Sequence, residues 1–336
     1  SRYPTRPTGA TVDLSAIRFN LQGVRKRVGK NVRIMAVVKA NAYGHGIGEV
    51  SRFAERGLAD CFGVAFPEEG LLLREAGIRK AIHVFALPVA RQAALYTDLN
   101  LEPTVCSALA ARLLNTAAQR ARKTLFIHLK IETGMNRIGV RFRELDPLLR
   151  ILGTLNRLEI KGVYTHFAMA DDADKSFTRF QLAEFERTLE ILRRQGISWE
   201  SAHCANSAAI LDMPESHKDM VRPGVMMYGY YPSRQTSESV PLKPALTLTT
   251  RVALVKEIGE GETVSYGRRF RAANPTRIAT LPIGYADGIP RRLTGNATAL
   301  IRGTAYPIVG TIGMDQVMAN VGRDDVAVGD EAVLIG

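Results

Sequence analysis

The stretch Ile34-Met35-Ala36-Val37-Val38-Lys39-Ala40-Asn41-Ala42-Tyr43-Gly44-His45-Gly46 decides how this chain is read. Five apolar residues in succession, bounded by charge before and by small residues and glycines after, predict a strand buried on both faces. Lys39 stands at the C-terminal end of that strand, where a charged amine is costly unless paired or neutral. Burial lowers a lysine's pKa and makes the amine a nucleophile, which Schiff-base chemistry requires. The plainer alternative is that Lys39 marks where the strand exits to water. Gly44, Gly46 and Gly48 read as places of close backbone approach, although neither GxGxxG nor the Walker pattern fits.

Working outward, short apolar runs alternate with amphipathic segments from Asp13 to about Tyr230. The predicted strands are Arg33–Val38, Cys61–Ala65, Ile82–Phe85, Glu102–Val105, Leu125–Ile131, Ile160–Thr165, Ser201–Cys204 and Met220–Met226. Helical patterns between them cover Asp13–Val28, Glu49–Arg56, Pro67–Ala76, Ala108–Arg120, Asp146–Leu152 and Thr178–Arg194. Eight strand signals, most followed by a helix, predict an α/β fold with a parallel sheet and right-handed crossovers. The length of the region favours a closed (β/α)8 barrel over an open sheet.

Tyr231–Pro244, rich in Pro and Ser, reads as a linker. Beyond it, Ala245–Ile258 alternates with period two, and short β-like runs follow at Arg277–Pro282, Thr298–Ile301, Ala305–Gly310, Gln316–Val321 and Glu331–Ile335. The expected organisation is a barrel over 1–236 and a mainly-β domain over 237–336. The chain stops at Val333-Leu334-Ile335-Gly336 within a strand pattern and starts without methionine, so a C-terminal segment and some leading residues are expected to be absent.

With 46% apolar and 23% charged residues among 336, the composition is that of an ordinary globular protein rather than a disordered one. No apolar run approaches the roughly 20 residues of a membrane span, and no signal-peptide pattern opens the chain. Cys61, Cys106 and Cys204 are odd in number and scattered, which suggests a reducing compartment without disulfides. The net charge of +12 is dispersed over helical segments, which favours a solvated basic surface over a nucleic-acid patch. Asp171, Asp172 and Asp174 lack the glycine-centred spacing of a cation loop, and His203-Cys204 has no second Cys/His pair, so no metal site is expected.

In a (β/α)8 barrel the chemistry gathers at the C-terminal ends of the strands, and phosphate commonly binds near the last two. Asn206-Ser207 opens a helix-like segment and can cap it, and Gly224, in Arg222-Pro223-Gly224-Val225, permits close backbone approach. The run His128 to Gly139 places Lys130 inside a strand pattern and Arg137 beside a glycine turn. Arg137 suits bidentate capture of a carboxylate or phenolate oxygen. His166 stands at the end of another strand, a position that suits either core or functional use.

Lysine strand, Ala40-to-Gly46 segment and these later sites together resemble the alanine racemases over nearly the whole chain. The resemblance implies a pyridoxal 5′-phosphate enzyme that interconverts L- and D-alanine and supplies D-alanine for peptidoglycan in the bacterial cytoplasm. It implies that Lys39 is the Schiff-base lysine and a catalytic base for D-alanine. Tyr43, Ser207, Gly224 and Val225 become phosphate contacts with Asn206 beside them, and Arg222 faces the pyridine nitrogen. His166 would orient Arg222 and the second base, and Arg137 would lie near the cofactor phenolate and substrate carboxylate. Lys130 resembles a lysine that is often carbamylated and supports that arginine. Thr263-Val264-Ser265-Tyr266-Gly267 resembles the segment of the opposing tyrosine base, and Gly313-Met314-Asp315-Gln316 a substrate-carboxylate loop in which Asp315 is a supporting residue. Both come from the neighbouring subunit of a homodimer in the family.

Two rivals remain. A decarboxylase or broader racemase could use the same plan, but the phosphate stretch here is no glycine triplet and Tyr266 supplies a second base. A non-catalytic pyridoxal-phosphate carrier would lack the β domain.

Overall fold

The computed structural model describes residues 6–336. It divides into two compact units, one spanning Leu14–Ala245 and the other combining the described residues up to Asp13 with Leu246–Gly336.

A short strand, β1 (Gly9–Val12), precedes the first unit and belongs to the second. The first unit is a parallel barrel of β2 (Arg33–Val37), β3 (Cys61–Val64), β4 (Ile82–Val84), β5 (Glu102–Val105), β6 (Leu125–Lys130), β7 (Leu158–Tyr164), β8 (Ser201–His203) and β9 (Met220–Val221). From β2 to β8 each strand pairs with the next in sequence, and β9 pairs with β2. The seam between β8 and β9 is bridged by Asp219 N–H to Ala202 O at 3.1 Å and Arg222 N–H to Ala205 O at 3.0 Å. The apolar run that predicted β2 is buried from Ile34 through Val38, as a strand covered on both faces must be. Around the barrel, helices start where capping chemistry allows. Ser107 accepts from Ala110 N–H at 3.3 Å to open Ala108–Ala121, which ends at Arg122 in the left-handed region.

Several expectations need correction. The eighth strand is two residues long, not Met220–Met226, because Pro223 has no N–H to offer a ladder and Val225–Tyr228 turns into a 3₁₀ helix. The helix read as Asp146–Leu152 begins at Phe142, so Pro147 lies inside it. A helix at Ala93–Asp98 went unread.

Residues 231–245 are no linker but a strap docked on the barrel unit. Lys243 N–H donates to Asn20 Oδ1 at 2.8 Å, and Asn20 Nδ2 donates back to Lys243 O at 2.9 Å and to Met227 O at 3.1 Å. The division therefore falls after Ala245 rather than near residue 236, and residues before Leu14 lie with the β unit.

The second unit is antiparallel, in the order β1, β10 (Leu246–Arg251), β18 (Glu331–Ile335), β15 (Thr298–Ile301), β16 (Thr304–Val309), β17 (Val317–Gly322), β14 (Thr276–Leu281) and β11 (Leu254–Ile258). A separate hairpin joins β12 (Thr263–Val264) to β13 (Phe270–Arg271). Period-two burial is clearest in β17, where Val317, Ala319 and Val321 enter the core and alternate residues are part-exposed. The predicted run Ala245–Ile258 is two strands, broken at Val252–Ala253.

Candidate active site

Lys39 lies just past the end of β2 and opens a tight turn. Ala40, Asn41, Ala42 and Tyr43 all have left-handed φ, between 51 and 55°. Such a turn costs roughly 1–2 kcal/mol per non-glycine residue, so neighbouring contacts must impose it. Glu69 does so from the adjacent helix. Its carboxylate accepts from Ala40 N–H at 2.5 Å, Ala65 N–H at 2.7 Å and Phe66 N–H at 3.3 Å. Asn41 Oδ1 accepts from Ile47 N–H at 2.9 Å. Gly44 and Gly46 are present for their positive φ of 86 and 90°, with open space where a Cβ would point, and Gly48 makes only ordinary contacts. Close backbone approach does not explain these glycines.

The barrel mouth holds a cavity of about 590 Å³, and every barrel-borne residue singled out from the sequence lines it: Lys39, Tyr43, Lys130, Arg137, His166, Asn206, Ser207, Arg222, Gly224 and Val225. Burial, then the Arg137 charge, lowers the pKa of the Lys39 amine, while Glu69 opposes them. Lys130 is 4% exposed, and burial followed by the charges of Arg137 and Arg222 brings its pKa down to about 7. His166 is held neutral, well below its ordinary pKa, by burial and then by Arg222. Arg222, itself buried, donates through Nη2 to His166 Nδ1 at 3.2 Å, Thr165 O at 2.8 Å and Cys204 O at 3.0 Å. Burial lowers its guanidinium to about 10, which leaves it protonated at neutral pH.

In the same cavity, Ser207 Oγ accepts from Gly224 N–H at 2.9 Å and Met226 N–H at 3.4 Å. A hydroxyl accepting twice still has its O–H to donate. A Cβ on Gly224 would meet Tyr43 Oη at 2.7 Å, so the glycine lets the phenol sit this close to the backbone. Asn206 Oδ1 is committed to capping, accepting from Ala209 N–H at 3.1 Å.

Tyr266, Met314 and Asp315 lie in the second unit on exposed loops. Thr311 joins the first two loops, its Oγ1 donating to Tyr266 O at 2.6 Å and its carbonyl accepting from Ser265 Oγ at 2.6 Å. Tyr285 N–H and Ala286 N–H donate to Gly313 O and Met314 O, each at 3.0 Å. Tyr266 is 74% exposed and Met314 54%.

Sequence reasoning missed Glu69, which holds the lysine turn, and Glu102, whose carboxylate lies inside the barrel. An acidic residue in the first turn of a helix, or opening a buried strand, was the available signal in each case.

A lysine of lowered pKa at a (β/α)8 barrel mouth thus shares a cavity with a hydroxyl-and-glycine cradle, in a chain that continues into a β unit. Family models described as alanine racemase, N-terminal domain, and alanine racemase, C-terminal domain, match residues 12–232 and 245–336. An alanine racemase of Halothermothrix orenii is 44% identical over 333 residues, covering 99% of this chain and 88% of the relative. One from Carboxydothermus hydrogenoformans is 45% identical, covering 98% and 90%. The solved alanine racemase of Clostridium difficile 630 superposes with a TM-score of 0.94 at 34% identity, over 99% of this chain and 88% of that one. This chain belongs to the alanine racemase family, and it is a pyridoxal 5′-phosphate-dependent isomerase of L- and D-alanine.

The residues present fit that cofactor. The cradle of Tyr43, Ser207 and Gly224 suits a phosphate, and the Lys39 amine is biased toward its nucleophilic form. Among the described residues no helix is long and apolar enough to cross a membrane.

Proposed function

We propose that Lys39 and Tyr266 are the two bases of racemisation, on opposite faces of the substrate, and that Tyr266 comes from a second copy of this chain. The observation that carries the reading is the convergence of the lowered-pKa Lys39 with the Tyr43–Ser207–Gly224 cradle in one cavity. Pyridoxal phosphate, when bound, supplies an electron sink for the pair left on Cα. The chain's own residues do the rest. Tyr43, Ser207, Gly224 and Val225 would hold the phosphate, with Asn206 capping the adjoining helix. Arg222 would face the ring nitrogen as a fixed cation, kept in place by His166.

Lys39 Nζ removes or returns the proton on the D-alanine face. Tyr266 Oη of the partner subunit does so on the L-alanine face. Arg137 and the backbone of Met314 of the partner subunit hold the substrate carboxylate, with Lys130 and Asp315 in support. The exposure of Tyr266 and Met314 supports a homodimer with shared sites. A cytoplasmic, bacterial setting is part of the same reading.

The test is α-deuterium washout from each labelled enantiomer under single-turnover conditions. Tyr266→Ala should lose washout from L-alanine by on the order of 10² to 10⁴ and largely keep it from D-alanine. Equal loss from both enantiomers rejects the two-base assignment.

A further inference from the structure

Arg222 is 3% exposed, yet its described hydrogen bonds all go to neutral groups, and no ion pair among the described residues includes it. A buried cation without a facing carboxylate is costly unless its charge is compensated through intervening dipoles. A chain of hydrogen bonds leads from it into the barrel. Arg222 Nη1 lies 2.7 Å from His203 Nδ1, and His203 Nε2 lies 3.0 Å from His128 Nδ1. His128 Nε2 in turn lies 2.9 Å from Glu102 Oε2, and Lys161 Nζ donates to Glu102 Oε1 at 2.5 Å.

The proton positions along this chain follow from its ends. Arginine only donates, so His203 Nδ1 must accept and its proton sits on Nε2. His203 Nε2–H then donates to His128 Nδ1, which leaves the His128 proton on Nε2, pointing at a carboxylate that only accepts. Both histidines are therefore neutral Nε2–H tautomers, and the dipoles run head to tail from Arg222 to Glu102. Burial alone would raise the Glu102 pKa, but His128 and Lys161 outweigh it and keep the carboxyl below its ordinary range.

The barrel makes room for this arrangement. A Cβ on Gly162 in β7 would come within 2.2 Å of His128 Nδ1, so that strand position admits no larger residue while His128 reaches His203. Tyr164 stacks on His203 with rings 4.9 Å apart and 4° from parallel, which fixes the plane of the second imidazole.

We propose that Glu102, itself ion-paired with Lys161, is the terminal acceptor of this chain, and that with His128 and His203 it forms a positioning relay which locks the guanidinium of Arg222 in its donating orientation. This rests on the reading that Arg222 faces the cofactor ring. Through that contact, Glu102 on β5 biases the electronics of a ring it never touches.

Histidine ¹⁵N spectra of the cofactor-free protein judge the relay by itself. The His128 and His203 signals, assigned by their loss in His128→Gln and His203→Gln, should each report a protonated Nε2 and an unprotonated Nδ1, and either of these found as the Nδ1–H tautomer or doubly protonated overturns the relay. Glu102→Ala should mix those tautomers, whereas Glu102→Asp should restore them in part. In holoenzyme at equal cofactor occupancy, Glu102→Ala should also shift the cofactor absorbance band and lower kcat about tenfold with little change in KM.

Asn115 is also buried, and its Oδ1 accepts from Arg157 N–H at 3.1 Å, outside the relay. Asn115→Ala is thus the control for a merely structural effect and should leave the cofactor band in place. A Glu102→Ala protein that folds with parental tautomers and an unmoved band overturns the proposal. Arg222→Lys tests the underlying reading separately. A band unmoved by that change rejects the placement of Arg222 against the ring, while the histidine spectra still decide the relay.

Discussion

Ser207 Oγ accepts the backbone N–H of Gly224 at 2.9 Å, and this one bond ties the helix that follows β8 to the turn that follows β9. The two segments that form the cradle are thereby fixed to each other before any phosphate arrives. Preorganisation of this kind lowers the ordering cost of binding.

Ser207→Ala removes an anion donor and strips the Gly224 and Met226 N–H groups of their acceptor. Losing hydrogen bonds to a charged group costs about 1.5–3 kcal/mol. The dissociation constant for pyridoxal phosphate should rise about tenfold to a hundredfold in an absorbance titration of cofactor-free protein. An unchanged constant places the phosphate elsewhere.

The turn that presents Lys39 depends on Glu69. Glu69→Ala leaves three backbone N–H groups without their acceptor and releases four residues from the left-handed region. Hydrogen exchange at Ala40 and Ala65 should speed up. The rate at which borohydride fixes the cofactor to Lys39 should fall by about an order of magnitude, near the value of one charge-assisted hydrogen bond. Parental exchange and trapping would mean that the turn holds without the carboxylate.

Lys130 supplies a pH dependence whose sign can be worked out. Its pKa in the folded protein is about 7, against the higher ordinary lysine value in the unfolded chain. Between those values the unfolded state binds the extra proton, so this group's contribution to stability rises with pH from about 7 upward. In CO₂-free buffer, the cofactor-free parent should gain roughly 2 kcal/mol relative to Lys130→Met between about pH 7 and about pH 9. Parallel denaturation curves at both pH values would show an ordinary lysine. The same deprotonated amine should yield a carbamate signal with ¹³C-bicarbonate that Lys130→Met lacks.

Sharing of sites between subunits is open to a mixing experiment. Lys39→Ala and Tyr266→Phe proteins should each be inactive, and their co-reassembly should recover activity, because mixed dimers contain one interface with both bases intact. Mass analysis must confirm that mixed dimers formed. Inactive mixed dimers would exclude a tyrosine donated across the interface.

Lys39 was legible from sequence because an apolar run long enough for a two-sided buried strand ends at a lysine, and the residues after it match a specific family segment. The same held for the Asn206-Ser207 pair and Gly224, a helix cap with the hydroxyl after it and a glycine at the ends of the last two barrel strands. Such signals are local, and local pattern is what a sequence displays. The β unit was legible in outline from period-two alternation, most clearly in β17.

What the tertiary structure alone decided is who faces whom. Ala40, Asn41, Ala42 and Tyr43 carry no glycine to announce a left-handed turn, and the conformation is imposed by Glu69 on a different element. The Pro- and Ser-rich strap read as a linker because composition says nothing of its hydrogen bonds to Asn20. Strand β1 could not be recognised either, since its four residues become a strand only by pairing with β10. The period of β5, β6 and β8 can turn Glu102, His128 and His203 inward, but their order in a proton-directed chain depends on barrel register. That register is set by pairings between distant segments, which leave no trace in any one of them.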